Sequence, residues 1–249
     1  MAAPFLRAVE LPAVRHSQEQ SRAGRHPWTL PFVPQLADGL AFDAPVTLLV
    51  GENGSGKSTL IEALAVALGM NAEGGSSHLR FSTHWEEPEL GRELRVVREG
   101  ARPQSDFFLR AESFFNAATA LDGLAREDGR TLDFYGGRSL HERSHGESFL
   151  ALILNRFGPH GLYLLDEPEA ALSPQNVLVL LRRMHQLVGD GSQFVVATHS
   201  PLLLAYPGAT IYELNEAGIE QIGFDAAEPV RLTRAFLNAP ERFLGELLD

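Results

Sequence analysis

The sequence predicts an α/β fold whose largely parallel central sheet is covered by helices on both faces. Short apolar runs of strand length alternate with segments of helical spacing along the 249 residues. The first such run, at 46–50, leads into a glycine-rich turn and then a helix at 58–68. Apolar runs without polar alternation are typical of strands buried on both faces, as in parallel sheets. Strands that alternate with helices favour one domain of this class.

The remaining elements follow in chain order. The first 45 residues are rich in proline and indicate irregular or edge-strand structure. In the middle of the chain we predict strands at 93–98 and 107–111 and a helix at 116–125. The later predictions are a helix at 147–157, a strand at 162–166, a helix at 175–188, a strand at 193–198, strands at 210–214 and 219–224 joined by a hairpin turn, and one or two helices in 230–249. We expect the terminal helices to pack on the core.

Composition limits the class of protein. The chain has no cysteine, which excludes disulfides, thiol nucleophiles and thiolate zinc sites. Its net charge of −11 gives a field that repels nucleic acid, so a nucleic-acid partner would need a local basic patch. No apolar run approaches the ~20 residues that span a bilayer, and the first residues lack a secretory signal. We therefore expect a soluble cytoplasmic protein.

Residues 51–59, GENGSGKST, match the phosphate-loop pattern G-x-x-x-x-G-K-[ST] between a predicted strand and a predicted helix. The glycines let backbone N–H groups approach phosphate oxygens, and the helix N-terminus adds partial positive charge. Lys57 would reach the β- and γ-phosphates, and Ser58 would bind Mg²⁺. A glycine-rich turn without a ligand is the alternative. The predicted phosphate-binding residues are Gly51, Glu52, Asn53, Gly54, Ser55, Gly56, Lys57, Ser58 and Thr59.

Polar residues follow two of the later apolar strands. Asp166 ends one strand, Glu167 comes directly after it, and His199 follows the next strand. The carboxyl ends of parallel strands meet at the edge where such sheets bind ligands. Asp166 would hold Mg²⁺, Glu167 would orient or deprotonate the attacking water, and His199 would hydrogen-bond the γ-phosphate. Alone, these residues could be a helix-terminal charge pair and a satisfied histidine. Together with Lys57 they predict a catalytic site.

The polar stretch SHGES, at 144–148, opens an apolar helical run. A serine hydroxyl and free N–H groups at a helix N-terminus form an anion site. Ser144 and Glu147 also have the spacing of a capping box, which is compatible with that role.

With these motifs in order, GENGSGKS, SHGES, LYLLDEP, AALSP and ATHSP, the chain resembles the ABC-type ATPases over roughly residues 25–215. It is more similar to the SMC-like and RecF-like repair ATPases, and to stand-alone predicted ATPases of AAA type, than to transporter subunits. The resemblance implies a P-loop NTPase with an ABC-type, mostly parallel central sheet. It also implies one domain over 1–249, with a nucleotide-binding core at 1–105 and 158–249 and a signature-bearing subdomain at 106–157.

The resemblance further implies that SHGES contacts the γ-phosphate held by the other subunit of a head-to-tail dimer. Ser144, Gly146 and Glu147 fall on the serine, the second glycine and the last polar residue of that family's signature. Two positions depart from the pattern: His145 replaces the first signature glycine, and Ser173 stands where aspartate is common.

Two family features have no single counterpart in the sequence. Gln104 and Glu112 are the candidates for the glutamine that senses metal and water. Trp28 and His26 are the candidates for stacking on adenine, and a buried structural role is the alternative for Trp28.

The motifs and the resemblance together predict a Mg²⁺-dependent ATPase whose head-to-tail homodimer sandwiches ATP and acts as a switch on an unidentified protein partner. One alternative is the ATP-binding subunit of a membrane transporter, although ATHSP lacks the His-Asp pair common in those subunits. Another is an ATP-gated DNA-binding protein of repair or defence. Lys57 and Ser144 are too close in sequence for a long coiled-coil arm between them.

Overall fold

The computed structural model describes residues 4–13, 22–72, 74–75, 88–100, 102–112, 114 and 145–248. Its strands are β1 (Leu6–Glu10), β2 (Leu40–Ala41), β3 (Val46–Gly51), β4 (Arg95–Arg98), β5 (Ser105–Arg110), β6 (Gly161–Asp166), β7 (Gln193–Ala197), β8 (Thr210–Asn215) and β9 (Gly218–Ile222). Its helices are α1 (Lys57–Leu68), α2 (Glu89–Glu93), α3 (His145–Arg156), α4 (Pro174–Gly189), α5 (Pro201–Leu204), α6 (Glu228–Asn238) and α7 (Pro240–Leu248). Short 3₁₀ turns lie at Pro34–Ala37, Pro168–Ala171 and Phe224–Ala226.

The central sheet has six strands in the order β5-β6-β7-β3-β8-β9. Five of them run parallel, and β9 pairs antiparallel with β8 at one edge. Every residue of β6 and β7 is buried, as expected of parallel strands covered on both faces. The mostly parallel sheet and its flanking helices confirm the predicted α/β class.

Side chains of β3 enter two hydrophobic clusters, one on each face of the sheet. Val46, Leu48 and Val50 lie in the cluster that contains the buried residues of α3 and α4. Leu49 lies in the cluster that contains the buried residues of α1. This division follows from the strand geometry, because successive side chains point to opposite faces. The packing holds α1 at the carboxyl end of β3, where the glycine-rich loop connects the two.

A second, antiparallel sheet of order β2-β1-β4 is not predicted by the sequence pattern. Gln193, at the start of β7, is buried and joins this sheet to the central one. Its Oε1 accepts a hydrogen bond from Leu6 N at 2.9 Å, and its Nε2 donates to Leu6 O at 2.8 Å and to Phe42 O at 3.2 Å. These partners are far apart in sequence, so local periodicity contains no signal for the contact.

The predicted elements that fall within the described residues agree with the structure to within two residues at each end. The helix predicted at 116–125 lies outside the described residues, as do Ser144 and most of the proposed subdomain at 106–157. The division of the chain into core and subdomain therefore stays a prediction. No helix within the described ranges is long and apolar enough to cross a membrane.

The expectation that the C-terminal helices pack on the core is met only in part. Val230 is the one buried residue of α6, and α7 has none. Phe236 and Phe243 instead pack edge to face at 5.8 Å, which joins the two helices to each other. Leu237 and Leu247 are 69% and 72% exposed. A strong helical pattern therefore identified these helices correctly but did not show whether their apolar face has a partner.

Candidate nucleotide-binding site

Four parallel strands end side by side at one edge of the central sheet. The register pairs Arg110 of β5 with Asp166 of β6, and Asp166 with Ala197 of β7. Next to β7 lies β3, which ends at Gly51 in the phosphate loop. The loop, the acidic pair and the residues after β7 are thereby brought to the same edge, as the sequence predicted.

The phosphate loop needs glycine at two positions for identifiable reasons. At Gly51, a Cβ atom would lie 2.2 Å from the carbonyl oxygen of Leu214. At Gly56, φ is +95°, and a Cβ would lie 2.7 Å from Cε1 of Phe32. Only glycine meets both demands without displacing its neighbours. Glu52, Asn53 and Gly54 are exposed at the tip of the loop, and Ser55, Ser58 and Thr59 are half-buried.

Lys57 is the first residue of α1 and is only 4% exposed. Its Nζ donates to the carbonyl oxygens of Gly51 and Glu52, each at 2.9 Å, so the ammonium is held within its own loop. Burial lowers the pKa of Lys57, and the carboxylates of Glu167, Asp166 and Glu169 oppose that shift. A buried cation held by weak carbonyl acceptors is well placed to bind a phosphate.

Ser58 and Asp166 bring two oxygen atoms together at the start of α1. The Ser58 hydroxyl donates to Asp166 Oδ1 at 3.2 Å. Asp166 is 3% exposed, and burial raises its pKa to about 7, while the nearby guanidinium of Arg110 opposes the shift. A hydroxyl and a carboxylate oxygen suit Mg²⁺, which takes its other ligands from phosphates and water. The residues thus fit the metal that the resemblance implies, and a bound cation would stabilise the ionised carboxylate.

Arg110 is a residue of this site that the sequence analysis did not single out. Its guanidinium lies 2.5 Å from Glu62, 3.1 Å from Glu112 and 3.4 Å from Asp166. The only available signal was that Arg110 lies near the end of the strand predicted at 107–111, and the neighbour of that strand in the sheet cannot be read from the sequence. Arg110 is therefore the cation that balances the buried acidic residues beside Ser58.

The positions of Gln104 and Glu112 relative to the sheet distinguish the two candidates for the glutamine that senses metal and water. Gln104 precedes β5 and donates its backbone N–H to His160 O at 2.9 Å, so it lies at the amino edge of the sheet, away from the phosphate loop. Glu112 follows β5 and contacts Arg110 at the carboxyl edge. Gln104 is thus wrong as the counterpart, and Glu112 is the candidate that lies at the site.

Glu167 and His199 face each other across the ends of β6 and β7. Glu167 has φ 49° and ψ 51°, a left-handed conformation that is unfavourable for a residue with a Cβ. Strain of this kind is concentrated at functional sites. His199 Nε2 lies 3.4 Å from Glu167 Oε1, and within the described part of the chain this buried nitrogen has no hydrogen-bond partner. The imidazole thus faces the carboxylate with the hydrogen-bonding capacity of Nε2 unused by the described residues.

Glu169 is the second residue that the sequence analysis missed. It lies in the 3₁₀ turn directly after Glu167, and its carboxylate binds the segment Thr198–Ser200. The sequence EPEAAL offered only a further acidic residue in a polar turn, which is the most common kind of solvated charge.

The signature stretch is described only from residue 145 onwards. Gly146, in the first turn of α3, packs against the 3₁₀ turn that follows Glu167: a Cβ at this position would lie 2.9 Å from Ala171 O. Glu147 is exposed. Ser173 accepts a hydrogen bond from Asn176 N at 3.3 Å and so caps α4, which gives this departure from the family pattern a local function.

Trp28 has structural contacts on one face and at its indole nitrogen. The guanidinium carbon of Arg22 lies 4.0 Å from the centre of its ring, and Nε1 donates to Glu89 at 3.2 Å. The ring is half-buried beside the cluster on the α1 face of the sheet, whereas His26 is exposed. These contacts favour the structural role for Trp28, and adenine stacking by either residue stays a prediction.

Two cavities lie at opposite edges of the central sheet. The larger, of about 1040 Å³, borders the starts of β3 and β7 at Val46 and Gln193 and is therefore remote from the phosphate loop. The smaller, of about 540 Å³, is lined by the loop at 51–55, by the end of β8 and by residues that follow it. The chemistry of the site is thus carried by the loop and the strand ends and not by the larger cavity.

Comparison with known proteins agrees with this geometry. A family model described as "AAA domain" matches residues 32–106, and one described as "AAA domain, putative AbiEii toxin, Type IV TA system" matches residues 131–205. The hemin import ATP-binding protein HmuV of Streptomyces coelicolor is 30% identical over 178 residues, which is 64% of this chain and 61% of that protein. These matches support an ABC-type P-loop ATPase. The regions that the two family models match contain the phosphate loop, the acidic pair and His199.

Further matches include a second curated relative and a solved structure. The cytochrome c biogenesis ATP-binding export protein CcmA of Rhodospirillum rubrum is 29% identical over 184 residues, which is 68% of this chain and 73% of that protein. A solved structure of cbiO1 from Clostridium perfringens, described as part of the ABC transporter complex cbiONQ, superimposes with a TM-score of 0.51 at 17% identity, over 98% of this chain and 99% of that one. At that identity the structural likeness shows the fold alone.

Proposed function

We propose that this protein is a Mg²⁺-dependent ATPase that works as a nucleotide-driven switch. The observation that carries the proposal is the convergence, at one sheet edge, of Lys57 in the phosphate loop, the Ser58–Asp166 oxygen pair and the Glu167–His199 pair. Lys57 and the two pairs supply three separate requirements of phosphoryl transfer: phosphate binding, a metal site and a water-activating carboxylate.

Nucleotide binding would involve the loop at 51–56 and the first turn of α1. The backbone N–H groups of the loop would bind the phosphates, and Lys57 would exchange its carbonyl partners Gly51 O and Glu52 O for phosphate oxygens. Mg²⁺ bound at Ser58 and Asp166 would neutralise charge on the β- and γ-phosphates. Binding of the cation would also remove the cost of an ionised, buried Asp166.

Hydrolysis would depend on Glu167. A water molecule attacks the γ-phosphorus, its proton passes to the Glu167 carboxylate, and the bond to the β-phosphate oxygen breaks, which leaves ADP and phosphate. His199 would donate from Nε2 to a γ-phosphate oxygen, because that nitrogen is buried, faces Glu167 and has no hydrogen-bond partner in the described residues. Catalysis of this kind is mainly positioning and charge stabilisation.

The active form would be a head-to-tail homodimer in which SHGES completes the site of the partner. Gly146 and Glu147 lie in the first turn of α3, where free N–H groups and the helix dipole favour an anion. ATP would then hold the two copies together, and hydrolysis would release them. The partner on which the switch acts is a further protein.

The test is the Glu167→Gln variant, compared with Glu241→Gln on the exposed face of α7 as the matched control. We expect the Glu167 variant to bind ATP with near-normal affinity and to lose about 10²- to 10⁴-fold in turnover. With Mg·ATP its solution mass should shift from monomer to dimer, and without nucleotide it should stay monomeric. Near-normal hydrolysis would exclude Glu167 as the water-activating residue, and a monomer saturated with ATP would exclude the homodimer.

A second candidate function is the ATP-binding subunit of a membrane transporter. It is favoured by the relatives, since the matched protein from Streptomyces is named a hemin import ATP-binding protein and the one from Rhodospirillum a cytochrome c biogenesis ATP-binding export protein. Fractionation of the native cell distinguishes the two. Recovery of this chain with membranes through a co-purifying membrane protein supports the transporter role, and full recovery in the soluble fraction contradicts it.

A further inference from the structure

Glu169 binds the segment that carries His199 through a single oxygen atom. Glu169 Oε1 accepts hydrogen bonds from Thr198 Oγ1 at 2.7 Å, from His199 N at 2.6 Å and from Ser200 N at 3.1 Å. Thr198 is fully buried, and its hydroxyl oxygen also accepts from Ser200 N at 3.0 Å. Three consecutive residues after β7 are thus held by one carboxylate.

These bonds replace the sheet ladder at the point where the ladder stops. The last backbone bonds at this edge run from Glu167 N to Ala197 O at 2.9 Å and from Thr198 N to Leu49 O at 3.0 Å. Beyond them, the N–H groups of His199 and Ser200 are bound by Glu169. Because backbone donors inside a protein require acceptors, the course of the chain at His199 depends on this side chain.

We propose that Glu169 is a positioning residue for ATP hydrolysis, which holds the backbone of His199 so that the imidazole faces Glu167. The inference rests on the function proposed above. Glu167 and Glu169 belong to the same turn, so the element that presents the water-activating carboxylate also sets the place of the imidazole. The 3.4 Å separation of His199 Nε2 and Glu167 Oε1 is the result of that shared support.

The other carboxylate oxygen makes the proposal testable. Glu169 Oε2 is buried and has no hydrogen-bond partner in the part of the chain that the structure describes. Glutamine at this position keeps Oε1 as an acceptor for all three donors and changes only the unpartnered atom. Glu169→Gln should therefore hold the segment, with weaker bonds because the charge is gone, whereas Glu169→Ala should release it.

The first experiment measures amide hydrogen exchange at His199 and Ser200 in the full-length protein. We expect exchange at both amides to be at least about tenfold faster in Glu169→Ala and within about threefold of the wild type in Glu169→Gln. Amides of β6 and Glu241→Ala serve as controls for general loosening. If Glu169→Ala does not fold, Thr198→Val takes its place, since it removes one donor to Oε1 and one acceptor of Ser200 N. Unchanged exchange at His199 and Ser200 in the folded variant would overturn the proposal.

The second experiment separates positioning from general support by a double-mutant cycle. Glu169→Ala should lower kcat about 10- to 100-fold and leave the KM for ATP within about threefold, because it disturbs the group that acts after binding. In a His199→Ala background the same substitution should change kcat by less than about twofold, since it acts through His199. Independent, additive losses would contradict that route.

The experiments distinguish a failure of the proposed ATPase function from a failure of the positioning role of Glu169. If the wild-type protein does not hydrolyse ATP, the function is wrong, and the exchange measurement still decides whether Glu169 holds the His199 segment. If hydrolysis depends on Glu167 but the cycle is additive, the function stands and the role of Glu169 is refuted.

Discussion

The buried carboxylate of Asp166 should make the metal-free protein less stable at neutral pH than it would be with a neutral side chain. Asp166 is 3% exposed, and burial raises its pKa from 3.8 to about 7. Between these values the folded protein binds a proton more tightly than the unfolded chain, so stability falls as the pH rises. The cost is fully present above about pH 7 and is relieved as the carboxyl group is protonated.

The size of the effect follows from the shift. One pKa unit corresponds to about 1.4 kcal/mol, so the full shift amounts to at most about 4 kcal/mol. Asp166→Asn removes the charge and keeps an acceptor for Ser58, while Arg110 keeps Glu62 and Glu112 as partners. Because Arg110 loses its contact with Asp166, we expect a net gain in the free energy of unfolding of about 2 kcal/mol above about pH 7. Between about pH 7 and pH 5 the gain should fall by about 2 kcal/mol, to near zero, because the Asp166 carboxyl becomes protonated across those two pH units.

The assay is urea unfolding of the wild type and Asp166→Asn, in the presence of a chelator, at several pH values. Asp225→Asn is the matched control, because Asp225 has an exposed side chain paired with Arg234. Adding Mg·ADP should stabilise the wild type and not the variant, which lacks the carboxylate ligand. A variant that is no more stable than the wild type at about pH 8, or a difference that does not change with pH, would refute the reasoning.

Three other predictions follow from contacts in the structure. Gly56→Ala should lower the free energy of unfolding by about 2 kcal/mol, because the position has φ +95° and a Cβ would lie 2.7 Å from Phe32. Urea unfolding measures this change, and an unchanged unfolding midpoint would contradict it. Gln193→Leu should cost about 3 kcal/mol in the same assay, because the N–H and carbonyl groups of Leu6 lose their buried partner; a cost under about 1 kcal/mol would mean that water replaces the side chain. Lys57→Ala should weaken the binding of Mg·ATP about 10- to 100-fold, because charge-assisted hydrogen bonds to phosphate are lost. Calorimetry measures this affinity, and a near-normal value would exclude Lys57 from the phosphate site.

The residues of the candidate site fall into two groups according to how far they could be predicted. The phosphate loop, Asp166, Glu167 and His199 were found because each is local: a short motif, or a polar residue directly after an apolar strand. Arg110 and Glu169 were missed because their roles depend on neighbours in space. Arg110 acts through the pairing of β5 with β6, and Glu169 through a turn that reaches the segment after β7.

The sequence by itself determined the strands and helices of the central sheet, the phosphate loop and the order of the catalytic motifs, since these depend on periodicity and local spacing. Only the tertiary structure decided which strands are neighbours and that Gln193 joins the second sheet to the central one. It also decided that Gln104 lies at the amino edge of the central sheet, whereas Glu112 lies at the carboxyl edge, where the phosphate loop lies. The two C-terminal helices also show the difference between what the sequence and what the tertiary structure determined. Their amphipathic pattern predicted that they form, but burial depends on whether another surface meets the apolar face, and α7 has no buried residue. Contacts between distant segments are set by packing of the whole chain, and a local window of sequence contains no record of them.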